Sequence, residues 1–323
     1  MKVLITGANG FVGSHVAERL AARDGVALRL MLRSTSRLAF LEGVEYERVE
    51  GDLRDEASLA AAVQGAGTVI HVAGLVSALT EARYHEVNAR GTEALVRAAK
   101  AGGVKRFVYV SSLAALGPSL DGVTPPATPR PVSGYGRSKL AGEYPVLAEK
   151  DAMSVAVVRP PAVYGERDRG LLPFYRIAKL GFVPVYGDGH RRLSFIHAHD
   201  AADAIIAAAL AEGPSGAIYT INDGSIHTWR SLIAAFAKAA GRKVRSLPVP
   251  PLLFHLGAYG GGLVQTLIRR PLPLSPDEVQ HMRARAWLAD NEPILRDLGW
   301  QPRIDIEQGF AQAYRWYREC GWL

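Results

Sequence analysis

Tyr135 and Lys139 lie four residues apart in a segment whose pattern predicts a helix. Residues at this spacing share one face of a helix, so the phenol and the ammonium group are expected to lie close together. A nearby ammonium favours the phenolate, and we therefore expect the pKa of Tyr135 to fall below its ordinary value of about 10. Such a pair can exchange a proton with an alcohol or a carbonyl oxygen.

A pair of serines that precedes this helix supplies a third candidate group. Ser111 and Ser112 directly follow Arg106–Val110, which the sequence predicts to be a strand. In a doubly wound parallel sheet, ligands bind at the carboxyl ends of the strands. Ser112 is therefore well placed to bind the same substrate oxygen as Tyr135.

A glycine-rich turn near the start of the chain would bring a charged ligand to the same edge of the sheet. The turn contains Gly7, Gly10 and Gly13, at a spacing that differs from the G-x-G-x-x-G fingerprint. Such a turn lets the backbone approach a pyrophosphate, which then lies on the N-terminus of the next helix. We expect this role rather than a purely structural turn. The residues expected to contact the dinucleotide here are Gly7, Asn9, Gly10, Phe11, Val12 and Gly13.

The end of the second predicted strand indicates which dinucleotide is bound. An acidic residue there accepts hydrogen bonds from the ribose 2′-hydroxyl, whereas an arginine binds a 2′-phosphate. The chain has Arg33, Ser34 and Arg37 at this place and no carboxylate between Val26 and Leu41. NADP(H) is therefore the predicted cofactor, and NAD(H) is the alternative if Arg33 only faces solvent.

Strand and helix patterns alternate over the first half of the chain, which predicts an α/β fold with a doubly wound parallel sheet. The predicted strands cover residues 2–6, 26–32, 46–49, 68–72, 106–110 and 154–159. The predicted helices cover residues 11–23, 55–63, 84–101 and 135–149. We expect residues 1–165 to form a dinucleotide-binding Rossmann domain, joined by later strands from about residues 193–222. We expect residues 166–323 to form mainly a smaller, mostly helical substrate region.

The later elements are predicted from shorter patterns. Strands are expected at residues 193–197 and 217–222, and helices at residues 171–180, 200–211, 228–240, 290–298 and 306–320. Asp200 is expected to be the N-cap of its helix, because a carboxylate there accepts hydrogen bonds from the first backbone N–H groups.

Together, the glycine turn, Ser112 and the Tyr135/Lys139 pair resemble the extended short-chain dehydrogenase/reductase superfamily, which includes the NAD-dependent epimerases and dehydratases. The resemblance is nearest to the branch of dihydroflavonol reductases and 3β-hydroxysteroid dehydrogenases. It implies that Ser112, rather than Ser111, acts with Tyr135, and that Lys139 also holds the nicotinamide ribose. It further implies that Asn88 holds a helix distortion and a water molecule on the proton path. An ordinary asparagine on a helix surface is the alternative.

The resemblance also implies further cofactor contacts. Asp52, in the sequence Gly51-Asp52-Leu53, would bind the adenine amino group. Small residues after the fourth strand would let the cofactor pass, and the segment after residue 159 would present its backbone to the nicotinamide carboxamide. These further positions are Leu53, Val72, Ala73, Gly74, Pro160, Ala162 and Val163.

Three positions bear on the substrate class. Sugar-nucleotide epimerases usually carry an asparagine where this chain has Ala162 and a polar or basic residue at Val76. They carry an arginine at the position of Leu193, and in this chain the two arginines Arg191 and Arg192 come directly before that position. The predicted function is therefore NADP(H)-dependent interconversion of a ketone and a secondary alcohol on an apolar substrate. The alternatives are an epimerase or dehydratase of nucleotide sugars, and a non-catalytic dinucleotide-binding structural or sensor protein.

The composition is that of an ordinary globular protein, with 48% hydrophobic and 21% charged residues. The single cysteine, Cys320, excludes a disulfide framework within the chain and a cysteine-built metal site. No signal peptide is predicted, so we expect a cytoplasmic protein. The net charge of +7 comes without a basic stripe interleaved with aromatic residues, which favours an anionic cofactor over nucleic acid. The resemblance implies a homodimer.

Two further features receive plainer interpretations. Residues 249–268 are largely apolar but contain two prolines and three consecutive glycines, so we expect no membrane span. A buried or substrate-covering segment is expected there, with weak peripheral membrane contact as the alternative. His197 and His199 alternate along a predicted strand, but no third ligand is apparent and we predict no metal site. Tyr164 and Trp229 are expected to be packing residues.

Overall fold

The computed structural model describes residues 1–254, 256–257 and 276–323. Its central sheet consists of β1 (Lys2–Thr6), β2 (Ala27–Leu32), β3 (Glu47–Glu50), β4 (Thr68–His71), β5 (Arg106–Val110), β6 (Ser154–Arg159) and β11 (Ala217–Thr220). The shorter strands outside this sheet are β7 (Ala162–Tyr164), β8 (Phe182–Tyr186), β9 (Arg192–Leu193), β10 (Phe195–His197), β12 (Arg245–Val249) and β13 (Ala286–Trp287).

The named helices of the described part begin with α1 (Phe11–Ala21), α2 (Glu56–Val63), α3 (Glu81–His85), α4 (Gly91–Ala101), α5 (Leu113–Leu116) and α6 (Gly134–Ala148). They continue with α7 (Leu172–Ala178), α8 (Ala198–Leu210), α9 (Trp229–Ala239), α10 (Pro276–Arg283), α11 (Glu292–Leu298) and α12 (Ile306–Glu319). A short 3₁₀ turn covers Ala39–Leu41, and a π-helical turn covers Glu86–Arg90.

The central sheet is parallel throughout and has the strand order β3-β2-β1-β4-β5-β6-β11. Alternate residues of β1 serve two separate cores: Val3 and Ile5 face the core that contains α1 and α8, and Leu4 faces the core that contains α2 and α4. The chain order reverses at β1, which lies between β2 and β4. A reversal of this kind opens a crevice at the carboxyl ends of the strands. The predicted doubly wound α/β fold is confirmed.

The region after β6 contains the expected helices and also short strand pairs that the sequence did not predict. These pairs are β7 with β10, β8 with β12 and β9 with β13. The predicted strand 193–197 is divided at Ser194, whose N–H donates to Trp287 O at 2.8 Å. Strands of two to five residues are too short to show a clear alternation of apolar and polar positions.

The start of α8 differs from the prediction. His197, rather than Asp200, is the N-cap, and its Nδ1 accepts a hydrogen bond from His199 N–H at 3.3 Å. The Asp200 carboxylate instead accepts from the backbone N–H groups of Arg303 and Ile304, at 3.0 and 2.8 Å. The N-cap prediction was wrong because the partners of this carboxylate lie a hundred residues further along the chain. Asp200 therefore joins α8 to the segment that leads into α12.

The apolar stretch 249–268 is described only as far as residue 257, without residue 255, so its predicted role as a cover lies largely outside the described residues. Within the described part, residues 251–254 are helical. Leu252, Leu253 and Leu256 are exposed to 66%, 56% and 60%. This part is therefore not buried. Among the described residues, no helix has both the length and the apolar character that a bilayer span requires.

Candidate active site

The glycine turn between β1 and α1 borders a cavity of about 610 Å³ at the carboxyl edge of the sheet. Gly7 has a φ of +75°, and a Cβ added there would lie 2.6 Å from Ala73 N. A Cβ at Gly13 would lie 2.2 Å from the carbonyl oxygen of Gly7. The turn therefore packs backbone against backbone, which leaves no space for a side chain at either position. The cavity beside it is the cofactor cavity.

Most of the residues predicted for the cofactor line this cavity. They are Gly7, Asn9, Gly10, Phe11, Val12, Gly13, Arg33, Asp52, Leu53, Val72, Ala73 and Gly74. Ser34 and Arg37 are exposed and are not among the lining residues. Ser36 borders the cavity in their place, and its hydroxyl accepts a hydrogen bond from Arg33 N–H at 3.1 Å. The tight turn after β2 thus places Ser36, and not Ser34, in the lining of this cavity, and the predicted cofactor contact of Ser34 stays a prediction.

The charges around the cofactor cavity suit an anionic ligand. Its lining contains four arginines and two aspartates, namely Arg33, Arg54, Arg83, Arg169, Asp52 and Asp168. The Arg54 guanidinium bonds to both carboxylate oxygens of Asp52 at 2.9 Å and lowers the pKa of Asp52 to about 2. Burial raises the pKa of Asp168 to about 6. The net positive lining and the backbone turn fit a dinucleotide. Arg54 and Arg169 were not predicted.

Tyr135 and Ser112 lie together where the start of α6 packs against the start of α5. Tyr135 lies in the first turn of α6, which Ser133 caps by accepting from Gly136 N–H at 3.1 Å. A Cβ at Gly136 would lie 2.3 Å from Ala114 O, so α6 approaches α5 closely. This contact brings the Tyr135 phenol within reach of the Ser112 hydroxyl, which acts on the phenol's pKa as a hydrogen-bond partner. Both side chains line a second cavity of about 350 Å³, the substrate cavity.

The pKa of Tyr135 differs from the expectation. Burial raises it to about 12, although the hydrogen bond with Ser112 acts in the opposite direction. Lys139 is not among the groups that shift it. The Lys139 ammonium donates to Val110 O at 2.7 Å and lies 4.3 Å from the centre of the Tyr109 ring, and burial lowers its pKa to about 7. The predicted lowering of the Tyr135 pKa was wrong because burial dominates.

Ser111 faces away from the substrate cavity. Its hydroxyl donates to Glu143 Oε1 at 2.5 Å, and the same carboxylate pairs with Arg159 at 2.9 and 2.5 Å. All three side chains are buried. Successive residues of an extended chain point to opposite sides, so the engagement of Ser111 with Glu143 leaves Ser112 to face Tyr135.

Asn88 lies at the centre of the π-helical turn Glu86–Arg90 and is 1% exposed. Its Nδ2 donates to Leu75 O at 2.9 Å and to Ser138 Oγ at 3.0 Å, and its Oδ1 accepts from Leu75 N–H at 2.7 Å. The alternative of a surface asparagine was wrong. The predicted single helix 84–101 is divided by this turn into α3 and α4. Asn88 thus joins the distorted turn to helix α6, which carries Tyr135.

The substrate cavity is mainly apolar. Its lining residues are Val76, Ser112, Leu113, Ala114, Tyr135, Pro161, Ala162, Arg191, Leu193, Ser194, Phe195, Trp229, His281, Met282 and Trp287. Val76, Ala162 and Leu193, which were singled out in the sequence, all belong to it. Trp229, expected only to pack, lines it as well. Arg191, His281 and Trp287 were not predicted, because no local pattern marks side chains that converge from distant segments.

The segment after β6 contributes fewer residues to the lining of the two cavities than expected. Pro160 is in neither cavity lining, and its carbonyl accepts from Leu113 N–H at 2.7 Å. Val163 packs against the core beside α1 and α8. Pro161 and Ala162 are the members of this segment that border the substrate cavity.

The two histidines of the predicted strand have more neighbours than expected. Glu166 Oε2 lies 3.3 Å from His197 Nε2 and 3.8 Å from His199 Nε2, and His15 bonds to Glu166 O at 3.0 Å. The expectation of no third ligand nearby was wrong, because His15 and Glu166 come from distant parts of the sequence. One ligand atom each of His15, Glu166 and His199 lie within 4.8 Å of one another. Ligands of one ion with bonds of about 2.1 Å lie within about 4.2 Å, so the absence of a metal stays our prediction.

The end of the chain reaches the cofactor cavity through the loop after β7. The Tyr317 hydroxyl donates to Asp168 O at 2.6 Å. The Arg169 guanidinium lies 4.8 Å from the centre of a Trp322 ring. Asp168 and Arg169 also line the cofactor cavity. The last helix therefore supports one wall of that cavity.

Comparison with known proteins agrees with this geometry. Residues 3–222 match the model of the NAD dependent epimerase/dehydratase family. The chain belongs to this family. It is 33% identical to a ceramide reductase from Caulobacter vibrioides, over 99% of this chain and 96% of that one. It is 28% identical to a 3-beta-hydroxysteroid dehydrogenase from Mycolicibacterium neoaurum, over 98% and 92% of the two chains.

The solved structure of a dTDP-glucose 4,6-dehydratase from Streptomyces venezuelae, with NAD bound, has the same fold. It is 26% identical, with a TM-score of 0.78 over 100% of this chain and 98% of that one. The chain is therefore an enzyme of the extended short-chain dehydrogenase/reductase type with a nicotinamide dinucleotide cofactor. This excludes the non-catalytic alternative.

Proposed function

We propose that the enzyme interconverts a ketone and a secondary alcohol on an apolar substrate and that it prefers NADP(H). The observation that carries the proposal is the lining of the substrate cavity, where two tryptophans, Leu193 and Phe195 surround the Ser112–Tyr135 pair. A bulky ketone would gain roughly 25 cal/mol for each Å² of apolar surface buried in such a cavity. Its one polar oxygen would be satisfied by the two hydroxyl groups.

The side chains can provide the proton chemistry of this reaction. The bound nicotinamide supplies or accepts the hydride. Tyr135, whose pKa is about 12, stays protonated at neutral pH and donates its proton to the substrate oxygen. Ser112 holds that oxygen, and the Lys139 ammonium would hold the nicotinamide ribose, as the family resemblance implies. Asn88 keeps the turn beside α6 in its π-helical form.

The names of two relatives support this choice of substrate. One is named for a ceramide and the other for a steroid, and each matches nearly the whole chain. An apolar lining of the kind found here would suit either class of molecule.

An epimerase or dehydratase of nucleotide sugars is the second candidate. The arginine expected at position 193 in such enzymes is absent, but Arg191 lines the substrate cavity. Its Nη1 donates to His281 O at 3.3 Å and to the carbonyl of Met282. An arginine in this place offers a charge to a diphosphate, which would otherwise be costly to bury.

The test is turnover by the full chain with NADPH, against a panel of steroid, flavanonol and long-chain acyl ketones. Calorimetry with UDP-glucose and dTDP-glucose runs beside it, for the wild type and for Arg191→Ala. We expect turnover of at least one apolar ketone and no measurable binding of either nucleotide sugar. Micromolar binding of a nucleotide sugar that Arg191→Ala abolishes, with no ketone turned over, would establish the second candidate instead.

The preference for NADP(H) rests on Arg33. It follows β2 directly and lines the cofactor cavity, where a charge-assisted bond to a 2′-phosphate contributes about 1.5–3 kcal/mol. Arg33→Ala should therefore weaken NADPH binding by roughly 10- to 150-fold and change NADH binding little. Arg37→Ala is the matched control, because Arg37 is exposed and outside the lining. A wild-type enzyme that binds NADH more tightly than NADPH would contradict the assignment.

Three expectations from the sequence stay part of the proposal. They are a homodimer, testable by light scattering, a cytoplasmic location, testable by cell fractionation, and a division of labour near residue 165. The last expectation assigns the dinucleotide mainly to residues 1–165 and the substrate mainly to residues 166–323.

A further inference from the structure

A surface on the parallel pair β8–β12 and the segment after it combines exposed apolar residues with basic ones. The register places Phe182 opposite Arg245 and Pro184 opposite Leu247, and all four residues are exposed. Close to this pair along the chain, Leu180 is 70% exposed and Leu252 is 66% exposed. We name this the outer face. It consists of Lys179, Leu180, Phe182, Pro184, Arg242, Lys243, Arg245, Leu247, Leu252, Leu253 and Leu256.

The charge of the outer face has one sign. Residues 171–187 and 224–257 contain no Asp or Glu, while Lys179, Arg242, Lys243 and Arg245 are all exposed. The nearest acid after residue 171 is Asp188, whose carboxylate accepts from His190 N–H at 2.9 Å. Exposed leucines among cations whose own segments contain no acidic residue are a composition that binds anionic lipid surfaces, since the leucines enter the acyl region and the cations pair with headgroups.

The outer face also adjoins the substrate cavity. The ring of Phe254, in the helical segment that carries Leu252 and Leu253, lies 5.5 Å from the ring of Tyr186. The Arg191 guanidinium lies 5.2 Å from the same tyrosine ring, and Arg191 lines the cavity. Contacts through Phe254 and Tyr186 therefore link the helical segment that carries the exposed leucines to Arg191 in the wall of the substrate cavity.

We propose that the outer face docks on an anionic lipid bilayer and that an apolar substrate passes from the bilayer to the substrate cavity beside it. A second copy of the chain is a poorer occupant, because a twofold interface would bring the same cations of both copies together. The docking goes beyond the proposed function and is measured without turnover. Only the transfer of substrate rests on that function.

The experiment is co-sedimentation of the full chain with vesicles of phosphatidylcholine alone, or with about 30% phosphatidylglycerol added, at low and high salt. We expect binding to the anionic vesicles that is at least about tenfold stronger than to the neutral ones and that weakens at high salt. Leu252→Ser with Leu253→Ser, and separately Lys243→Glu with Arg245→Glu, should each weaken it by about tenfold or more. Thermal melts check that the variants fold.

Two controls keep the charge and the apolar contributions separate from general effects. Leu295→Ser changes a leucine that is 46% exposed on α11, and Arg23→Glu changes an exposed cation beyond α1. Both should leave vesicle binding within about twofold of the wild type. Equal binding to both vesicle types, or equal loss in controls and outer-face variants, would overturn the docking proposal. A dimer in light scattering that only the outer-face variants dissociate, with no vesicle binding, would identify the second copy as the occupant.

The two proposals fail separately. If vesicles bind as expected but no apolar ketone is turned over, docking stands and the proposed function falls. If a ketone presented in detergent is turned over but vesicles are not bound, the function stands and docking falls.

Discussion

The cofactor cavity and the substrate cavity lie at the same edge of the sheet, but different parts of the chain form their walls. Backbone forms the cofactor cavity where Gly7 and Gly13 leave no space for a Cβ. Side chains from well-separated segments form the substrate cavity, among them Ala162, Trp229 and Trp287. A close backbone approach requires glycine at fixed places, whereas an apolar wall accepts many side chains. Cofactor binding therefore leaves a pattern in the sequence, and substrate choice leaves very little.

The largest effect is expected at Tyr135, the proposed proton donor in the substrate cavity. Tyr135→Phe removes the proton donor but keeps the ring, so kcat for ketone reduction should fall by about 10²- to 10⁴-fold. The Kd for NADPH should stay within about twofold, measured by fluorescence titration. Tyr84→Phe is the control, because its ring lies 5.9 Å from that of Tyr135 and its hydroxyl donates to the Val76 carbonyl at 3.4 Å. Activity of Tyr135→Phe close to that of the wild type would remove Tyr135 from the mechanism.

The backbone character of the cofactor cavity is tested at Gly13. Gly13→Ala places a methyl group 2.2 Å from Gly7 O, so the turn must shift. Displacements of this kind cost typically 1–3 kcal/mol, and the Kd for NADPH should rise by roughly 5- to 150-fold. In Gly67→Ala the nearest contact is an ordinary 3.7 Å, and this variant should bind NADPH normally. Normal binding by both variants would contradict the backbone account.

A pH profile tests the charge on Lys139, which lies on the same helix as Tyr135. Lys139 has a lowered pKa of about 7, so its ammonium form dominates below that pH and is lost above it. Because Tyr135 stays protonated until about pH 12, kcat/KM for reduction should fall by up to about tenfold for each pH unit above 7. The arginine in Lys139→Arg keeps its charge above pH 7, so the decline in kcat/KM of this variant should move to higher pH. A flat wild-type profile between pH 6 and pH 9 would argue against a role for the ammonium.

The smallest effect is expected in the wall of the substrate cavity. Ala162→Asn adds an amide to an apolar lining, and the KM for an apolar ketone should rise by about three- to tenfold. Ala162→Leu, which has a similar shape without the polar group, should change KM less. A lower KM for the ketone in the asparagine variant would show that this wall favours polar substrates.

The sequence predicted the elements whose patterns are local. The bounds of β1, β5 and β6 are those predicted, because each is a run of apolar residues buried on both faces of the sheet. The predicted pair Tyr135 and Ser112 meet in the structure. Their shared position follows from the parallel sheet, whose strands all end at one edge.

The remaining features depend on contacts between distant segments. The carboxylate of Asp200 and the side chain of Glu166 find partners that no local pattern specifies. The raised pKa of Tyr135 reflects burial, which depends on the packed structure rather than on its spacing from Lys139. Ser36, and not Ser34, borders the cofactor cavity because of the shape of the turn after β2, which the sequence does not specify.

The contact between the last helix and the loop at the cofactor cavity makes the two ends of the chain interdependent. Tyr317 and Trp322 hold Asp168 and Arg169 from one side, and the cofactor cavity borders the same residues on the other. If a bound nucleotide orders this loop, Trp322→Ala, which removes the ring that Arg169 contacts, should weaken nucleotide binding. Residues 317–323 thus become a reporter of occupancy at a site that begins with Gly7.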